Sequence, residues 1–145
     1  MNLKNKHICS LKKLDKLTKV LAKKIIIPNI ILLNGDLGSG KTTFVRYLIK
    51  NLFLLSKTKP PKYILSPSFS LLQIYKMKNY KIYHYDLYRV NNSKELIELN
   101  FEENLIDNLT IIEWPQKIIK HISNYNSINI QLSIVDDKKR KIIIK

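Results

Sequence analysis

The chain has 145 residues, 45% of them hydrophobic and 26% charged, with a formal net charge of +15 and a single cysteine. That composition is too apolar for disorder, and the length suits one domain, residues 1–145, with a core of its own. One cysteine, Cys9, excludes an intramolecular disulfide and a cysteine-based zinc site, and agrees with a reducing compartment. The longest apolar run, residues 25–33, is broken by Pro28 and Asn29 and falls short of a membrane span. The N-terminus carries lysines without an apolar signal core, so a cytoplasmic protein without membrane association is expected. A charge of +15 would attract nucleic acid. However, Lys, Ile and Asn, the residues of A- and T-rich codons, supply 60 of the 145 positions. The lysines are dispersed, and there are only three arginines, Arg46, Arg89 and Arg140. Charge alone therefore assigns no nucleic-acid role.

In chain order, Ser10 is placed to cap a helix whose broad apolar face carries Leu11, Leu14, Leu17, Val20 and Leu21, ending before Pro28 and packing on a sheet edge. Residues 29–33 read as a strand apolar on both faces, hence parallel and buried. Phe44, Val45, Leu48, Ile49, Leu52 and Leu55 recur at helical spacing, predicting about three turns that stop before Lys57. Residues 57–62 are a proline-containing linker. A β-hairpin is expected from residues 63–75 and 81–89, with Ile82, His84, Asp86 and Tyr88 on one face. Residues 93–99 predict a short helix with Ser93 as N-cap, ended by Asn100 in a left-handed cap. A helical turn over residues 101–107 and a buried strand over 109–112 follow, and that strand delivers Glu113-Trp114-Pro115 to a second ligand-side loop. Residues 128–134 and 140–144 form a terminal hairpin around Asp136 and Asp137.

Between the first strand and the helix after it stands Gly35-Asp36-Leu37-Gly38-Ser39-Gly40-Lys41-Thr42, a complete G-x-x-x-x-G-K-[ST] phosphate-binding loop in its strand–loop–helix setting. All three glycines of the chain lie in it. Backbone N–H groups from Gly35 to Thr43 would cradle phosphates, Lys41 would bring a point charge, and the Thr42 hydroxyl would ligate magnesium. Magnesium also needs an acidic partner, ordinarily at the end of an apolar strand beside the loop strand, and Glu113 has that setting. Asp86 is a second acidic candidate, to hold a metal-bound water or orient the attacking one. His84, on the same strand face, fits a packed, hydrogen-bonded role more readily than a ligand or base. His7 and His121 have no evident partners. With no glycine after Gly40, the D-x-x-G switch of GTPases is impossible and N-K-x-D is absent, which favours adenine as the base.

The loop with Thr43, Ser66-Pro67-Ser68-Phe69, His84-Tyr85-Asp86-Leu87-Tyr88-Arg89 and Glu113-Trp114-Pro115 resemble, in order and spacing, the TsaE ATPases of bacterial tRNA threonylcarbamoyladenosine synthesis. The resemblance runs from Gly35 to Pro115. Its departures are Ser39 for alanine, Ser68 for threonine, Tyr85 for phenylalanine and Asn100 for glycine, none of which removes a phosphate or metal group. It implies a P-loop NTPase fold of class α/β, with a central, mostly parallel sheet flanked by helices and antiparallel hairpin additions. It also implies binding and hydrolysis of ATP with Mg2+, alongside two partner proteins that install threonylcarbamoyl on adenosine 37 of tRNAs reading codons that begin with A. The tRNA would be reached indirectly through those partners. On this likeness Thr42 and Glu113 hold magnesium, Lys41 and Asp86 assist hydrolysis, and residues 66–69 sense the γ-phosphate. Leu11 and Lys138 would close over the base.

Two rivals keep the loop. A small-molecule or nucleotide kinase would need an arginine-lined lid, which three scattered arginines make hard to build. A nucleic-acid-binding module would use the loop only to grip a backbone phosphate. Among the arginines, Arg89 follows Asp86 closely enough to act as a cationic finger, and equally could be a surface residue.

Overall fold

Leucines at positions 14, 17 and 21 form one stripe of helix α1 (Leu11–Ala22), and all three are buried. The computed structural model describes residues 3, 5–92 and 94–145. It divides the chain into two compact units: Met1–Ile25, Asn34–Leu65 and Asn129–Lys145 make the first, and Ile26–Leu33 with Ser66–Ile128 the second.

In the first unit α1 lies against α2 (Lys41–Leu55) and touches β1 (Lys6–Cys9). The two helices are tied by a polar clasp. Asn51 Nδ2 donates to the Asp15 carbonyl and carboxylate and to Thr18 Oγ1 at 3.0–3.2 Å, and the Thr18 hydroxyl donates back to Leu14 O. Ser10 sits at the N-cap with extended backbone (φ −78°, ψ 172°), but its side chain makes no cap hydrogen bond. Leu11, expected on the buried face, is 59% exposed.

α2 buries Phe44, Val45, Leu48, Ile49 and Leu52 and spans 15 residues, about one turn more than expected, because it starts at Lys41 inside the phosphate-loop motif. Lys57 ends it in the left-handed region (φ 55°), with Lys57 N–H bonded to Leu54 O and Thr58 N–H to Phe53 O. That pair of bonds is a Schellman motif formed without glycine. The expected terminal hairpin is β6 (Ser127–Ile134) and β7 (Arg140–Ile144), antiparallel with Ile134 opposite Arg140. β1 adds antiparallel to β7, a strand that no periodicity in Lys6-His7-Ile8-Cys9 announces.

The second unit is a four-stranded sheet in the order β2 (Asn29–Asn34), β5 (Leu109–Glu113), β4 (Lys81–Asp86), β3 (Leu72–Lys76). β2, β5 and β4 are parallel, and β3 runs antiparallel to β4. β2, β5 and β4 thus form a parallel core to which β3 is an antiparallel addition, and the pairings of β6 with β7 and of β7 with β1 in the first unit are antiparallel as well. β5 is buried throughout, and β4 in all but its first residue, because β4 lies between two strands.

The first arm of the expected hairpin shortens to β3. Residues 64–71 are not strand: Ser66-Pro67-Ser68 favours local turns, Pro67 cannot donate to a ladder, and Leu71 has φ 62°. Tyr85, Leu87, Leu96, Phe101, Ile112 and Ile118 belong to one buried cluster, against which Leu71 and Leu72 also pack. Tyr85 and Phe101 meet edge to face at 5.1 Å, and Asn104 Nδ2 donates to the Tyr85 hydroxyl at 2.8 Å. Two short helices, α3 (Lys94–Glu98) and α4 (Phe101–Asn104), carry Leu96 and Phe101. Asn100 takes the expected left-handed conformation (φ 51°, ψ 41°), while Ser93, the expected N-cap of α3, lies outside the described residues. Glu95 Oε1 accepts from the N–H groups of Asn91 and Asn92, and Asn92 Oδ1 from Lys94 N–H.

Two outcomes follow. Asn51→Ala removes the clasp and leaves buried acceptors unmet, so urea unfolding should show a loss of about 1–3 kcal/mol. Burial, opposed by the Asn104 hydrogen bond, pushes the Tyr85 phenol up to about 12 from 10.0. The stability this contributes is complete below pH 10 and is lost as pH rises through 12. Absorbance at 295 nm should therefore show one late-ionising tyrosine that Tyr85→Phe removes.

Candidate functional site

The phosphate loop leaves the end of β2 and enters α2 at Gly40, which is the N-cap residue in the left-handed region (φ 98°, ψ 20°). Gly35 has φ 146°, and a Cβ there would stand 2.4 Å from Leu132 O and 2.7 Å from Ser39 Oγ, so no side chain fits. Lys41 is only 5% exposed, and its ammonium donates to Gly35 O at 2.7 Å and Asp36 O at 3.0 Å. Its charge is thus held across the base of the loop. The first turn of α2 contains no acidic residue, which leaves the positive end of its dipole uncompensated by any side chain of that turn. Ser39 is fully buried, with a hydroxyl that has no partner among the described residues, and Thr42 and Thr43 are half-buried.

A cavity of about 500 Å³ opens beside the loop, a size suited to a small molecule. Its lining joins Gly38, Gly40 and Thr43 to Leu11, Lys138 and Arg140. Leu11 and Lys138, the two residues assigned to the base by resemblance alone, therefore line one cavity with the loop. Exposure of Leu11 is explained by the same cavity. Arg140, which the sequence did not single out, donates from Nη1 to Asp136 O (2.7 Å) and Lys139 O (3.0 Å) and from Nη2 to Gly38 O (3.4 Å). It thereby fastens the terminal hairpin turn to the loop. Only the pairing of β6 with β7 could have disclosed it, since nothing local marks Arg140. Cys9 borders this cavity too, and burial pushes its thiol up, which fits an inert side chain.

In the second unit, Asp86 and Glu113 are register partners at the ends of the parallel neighbours β4 and β5, and Glu113 also pairs with Leu33 of β2. Leu33 is two residues before Gly35 in the chain. Both carboxylates are buried, at 5% and 2% exposure. Asp86 accepts from Ser68 Oγ at 2.8 Å and from Tyr88 N–H at 3.1 Å, and Ser66 and Ser68 share a hydrogen bond of 2.7 Å. The Arg89 guanidinium stands 4.3 Å over the Phe69 ring. Asp86, Arg89 and the Ser66–Phe69 segment are therefore brought together.

His84 does not contact Asp86 despite sharing its strand parity. Its Nε2–H donates instead to Glu113 Oε1 at 2.9 Å, and Nδ1 is buried without a partner among the described residues. Within the first unit, His7 Nε2 reaches Leu3 O at 3.3 Å, a partner the sequence did not suggest. His121 is exposed.

Among the described residues no three His, Cys, Asp or Glu side chains gather into a metal cage. Magnesium does not require one, because it commonly takes one or two protein oxygens and completes its shell with phosphates and water. Each taken within its own unit, the half-buried Thr42 hydroxyl and the buried Glu113 carboxylate are oxygen donors of the kind that ion accepts.

A family model described as "Threonylcarbamoyl adenosine biosynthesis protein TsaE" matches residues 8–142. Proteins named tRNA threonylcarbamoyladenosine biosynthesis protein TsaE are similar along most of the chain. The one from Rickettsia felis is 49% identical over 86% of this chain and 70% of its own length; that from Rickettsia typhi is 46% identical over 92% and 89%. The relative from Borreliella burgdorferi is 36% identical over 72% of this chain and 73% of its own. The crystal structure of YdiB from Bacillus subtilis, 22% identical, superposes with a TM-score of 0.68 over 95% of this chain and 82% of that one, which shows a shared fold. This chain belongs to the TsaE family of threonylcarbamoyladenosine biosynthesis proteins.

Proposed function

We propose that the chain is a Mg2+-dependent ATPase of the P-loop NTPase fold, acting in the cytoplasm. It would serve the threonylcarbamoylation of adenosine 37 in tRNAs reading codons that begin with A, together with two partner proteins that carry out the transfer. The observation that carries this reading is the loop. A buried ammonium is bonded to the carbonyls of Gly35 and Asp36 at the start of a helix whose first turn has no acid. That is an anion site awaiting a triphosphate tail. The adjoining cavity, lined by Leu11 and Lys138, is the place for the base.

Hydrolysis needs little covalent chemistry from the protein. Loop amides and Lys41 hold the β- and γ-phosphate charge as it shifts towards the leaving oxygen. Thr42 and Glu113 would hold magnesium, which when bound supplies further charge neutralisation on the phosphates. The Glu113 carboxylate is oriented through Oε1 by His84 Nε2–H. Asp86 orients the attacking water or accepts its proton, with one oxygen bonded to Ser68 and the other to Tyr88 N–H. Through the Ser68 bond, the state of residues 66–69 reaches the acid that positions water.

A kinase is the weaker reading because an arginine-lined acceptor lid would have to be made from three arginines scattered along the chain. Arg46 Nε donates to Ile64 O at 2.9 Å, Arg89 covers Phe69, and Arg140 holds the hairpin turn.

Lys41→Ala should weaken nucleotide binding in calorimetry by roughly 10- to 100-fold, the size of a charged hydrogen bond. Unchanged affinity would end the ATP-site reading. Asp86→Asn should leave nucleotide affinity within a few-fold and lower phosphate release by about 10² or more. Phosphate release by the isolated chain should be slow and rise on addition of the partner proteins; rapid turnover that the partners leave unchanged would contradict the proposal.

A further inference from the structure

The α2 helix carries like charges on one stripe. Arg46 and Lys50 are four residues apart, both exposed, with Tyr47 half-buried between them. Such a pair costs an isolated helix a few tenths of a kcal/mol unless an anion relieves it. No acid nearby in the sequence does so: from Leu37 to Tyr85 there is no Asp or Glu, while Arg46, Lys50, Lys57, Lys59 and Lys62 all fall there. Codon bias accounts for abundant lysine but not for acids being confined to other parts of the chain, five of them between Glu95 and Asp107.

These cations border a groove. Arg46, Tyr47 and Lys50 form one wall; Pro60, Lys62 and Ile64 form the other, enclosing about 540 Å³ within the first unit. The wall beyond α2 is fixed in place, because Arg46 Nε–H donates to Ile64 O at 2.9 Å and Pro60 and Pro61 stiffen the segment. Aromatic rings accompany the charges. The Lys50 ammonium is 5.8 Å from the Tyr47 ring and that of Lys62 is 5.2 Å from Tyr63, whose side chain is 67% exposed. None of Arg46, Lys50 and Lys62 pairs with a carboxylate among the described residues.

We propose that this groove binds a single-stranded RNA segment, with phosphates on Arg46, Lys50 and Lys62 and a base stacked on Tyr63, which is not part of the groove's lining but follows Lys62 directly in the chain and is exposed. Spaced cations tracking a backbone beside an exposed aromatic platform are what sequence-tolerant single-strand binding requires. The exposed ring beside the cations suits a stacked base, and an acidic protein surface, which would use the same cations, is the alternative that a polyglutamate competitor tests. The proposal does not rest on the ATP reading, and the groove abuts the cavity beside the phosphate loop, with which it shares Leu11 and Thr43.

The test uses the full chain and a fluorescently labelled oligouridylate of about ten nucleotides, followed by anisotropy between 50 and 200 mM salt, with a polyglutamate peptide of equal charge as competitor. Lys50→Ala with Lys62→Ala should lower RNA affinity at least tenfold and reduce the slope of log affinity against log salt by about 1.4, or 0.7 for each phosphate no longer neutralised. Tyr63→Ala should lower affinity about fivefold or more. ATP affinity should be unchanged in all these variants, and Lys41→Ala should keep its RNA affinity. RNA binding indifferent to the double substitution overturns the proposal. So does RNA binding abolished only in Lys41→Ala, which would place the phosphate in the loop. Polyglutamate competing as well as RNA, with Tyr63→Ala silent, overturns it in favour of an acidic protein partner.

Discussion

The phosphate-binding loop depends on one buried cation held by the loop's own carbonyls. An ammonium removed from water is costly unless its donors are met, and the Lys41 donors are met by the carbonyls of Gly35 and Asp36. Those carbonyls can turn inward only because the backbone at Gly35 adopts φ 146° with Leu132 O packed where a Cβ would be. Gly40 then opens α2 from a left-handed conformation, with Phe44 N–H bonded back to Gly40 O at 2.9 Å. Loop shape, helix start and charge placement are thus one constraint. The chain concentrates all its glycines where it acts.

Neither carboxylate relies on Lys41 for its position. Asp86 and Glu113 end adjacent parallel strands in register, the end of such a sheet where ligands gather. Their partners differ in kind. Glu113 is oriented by a fully buried histidine on the neighbouring strand, whereas Asp86 is oriented by a serine on an irregular segment and by a backbone N–H two residues on. The first arrangement is rigid, because both ends belong to the sheet. The second transmits whatever happens to residues 66–69.

Elements fixed by strong local patterns were legible in the sequence. The loop has a defined spacing, β2 and β5 are continuous apolar runs, and α2 repeats at 3.6 residues. Asn100 could be read as a left-handed cap because asparagine tolerates that region better than other side chains. What escaped was set by tertiary pairing. β1 is a strand only because β7 offers it an edge, and the partner of His84 was chosen by the register of β4 against β5, which puts Glu113 rather than Asp86 within reach. Arg140 reaches Gly38 across more than a hundred residues of chain, beyond any local signal. Leu11 followed the apolar stripe by spacing yet lies at a cavity mouth, so periodicity misjudged its burial. Roles for Lys41, Thr42, Glu113 and Asp86 could be read from the loop motif and the strand ends, whereas those of Leu11, Lys138 and residues 66–69 came from the resemblance alone.

The segment from Ser66 to Phe69 explains how a pre-wired site could idle on the proposed reading. Its ties are a Ser66–Ser68 bond, a Ser68–Asp86 bond and one cation over one ring, each worth about 1 kcal/mol. Phe69 is 84% exposed, an apolar ring held at the surface chiefly by Arg89. A partner that covers this ring gains apolar burial comparable in size to the ties it displaces. It would at the same time free Arg89 and alter the hydrogen bond to Asp86. Because Ser68 grips the same carboxylate that is assigned to water, exchange of partners at Phe69 and readiness of Asp86 are mechanically one event.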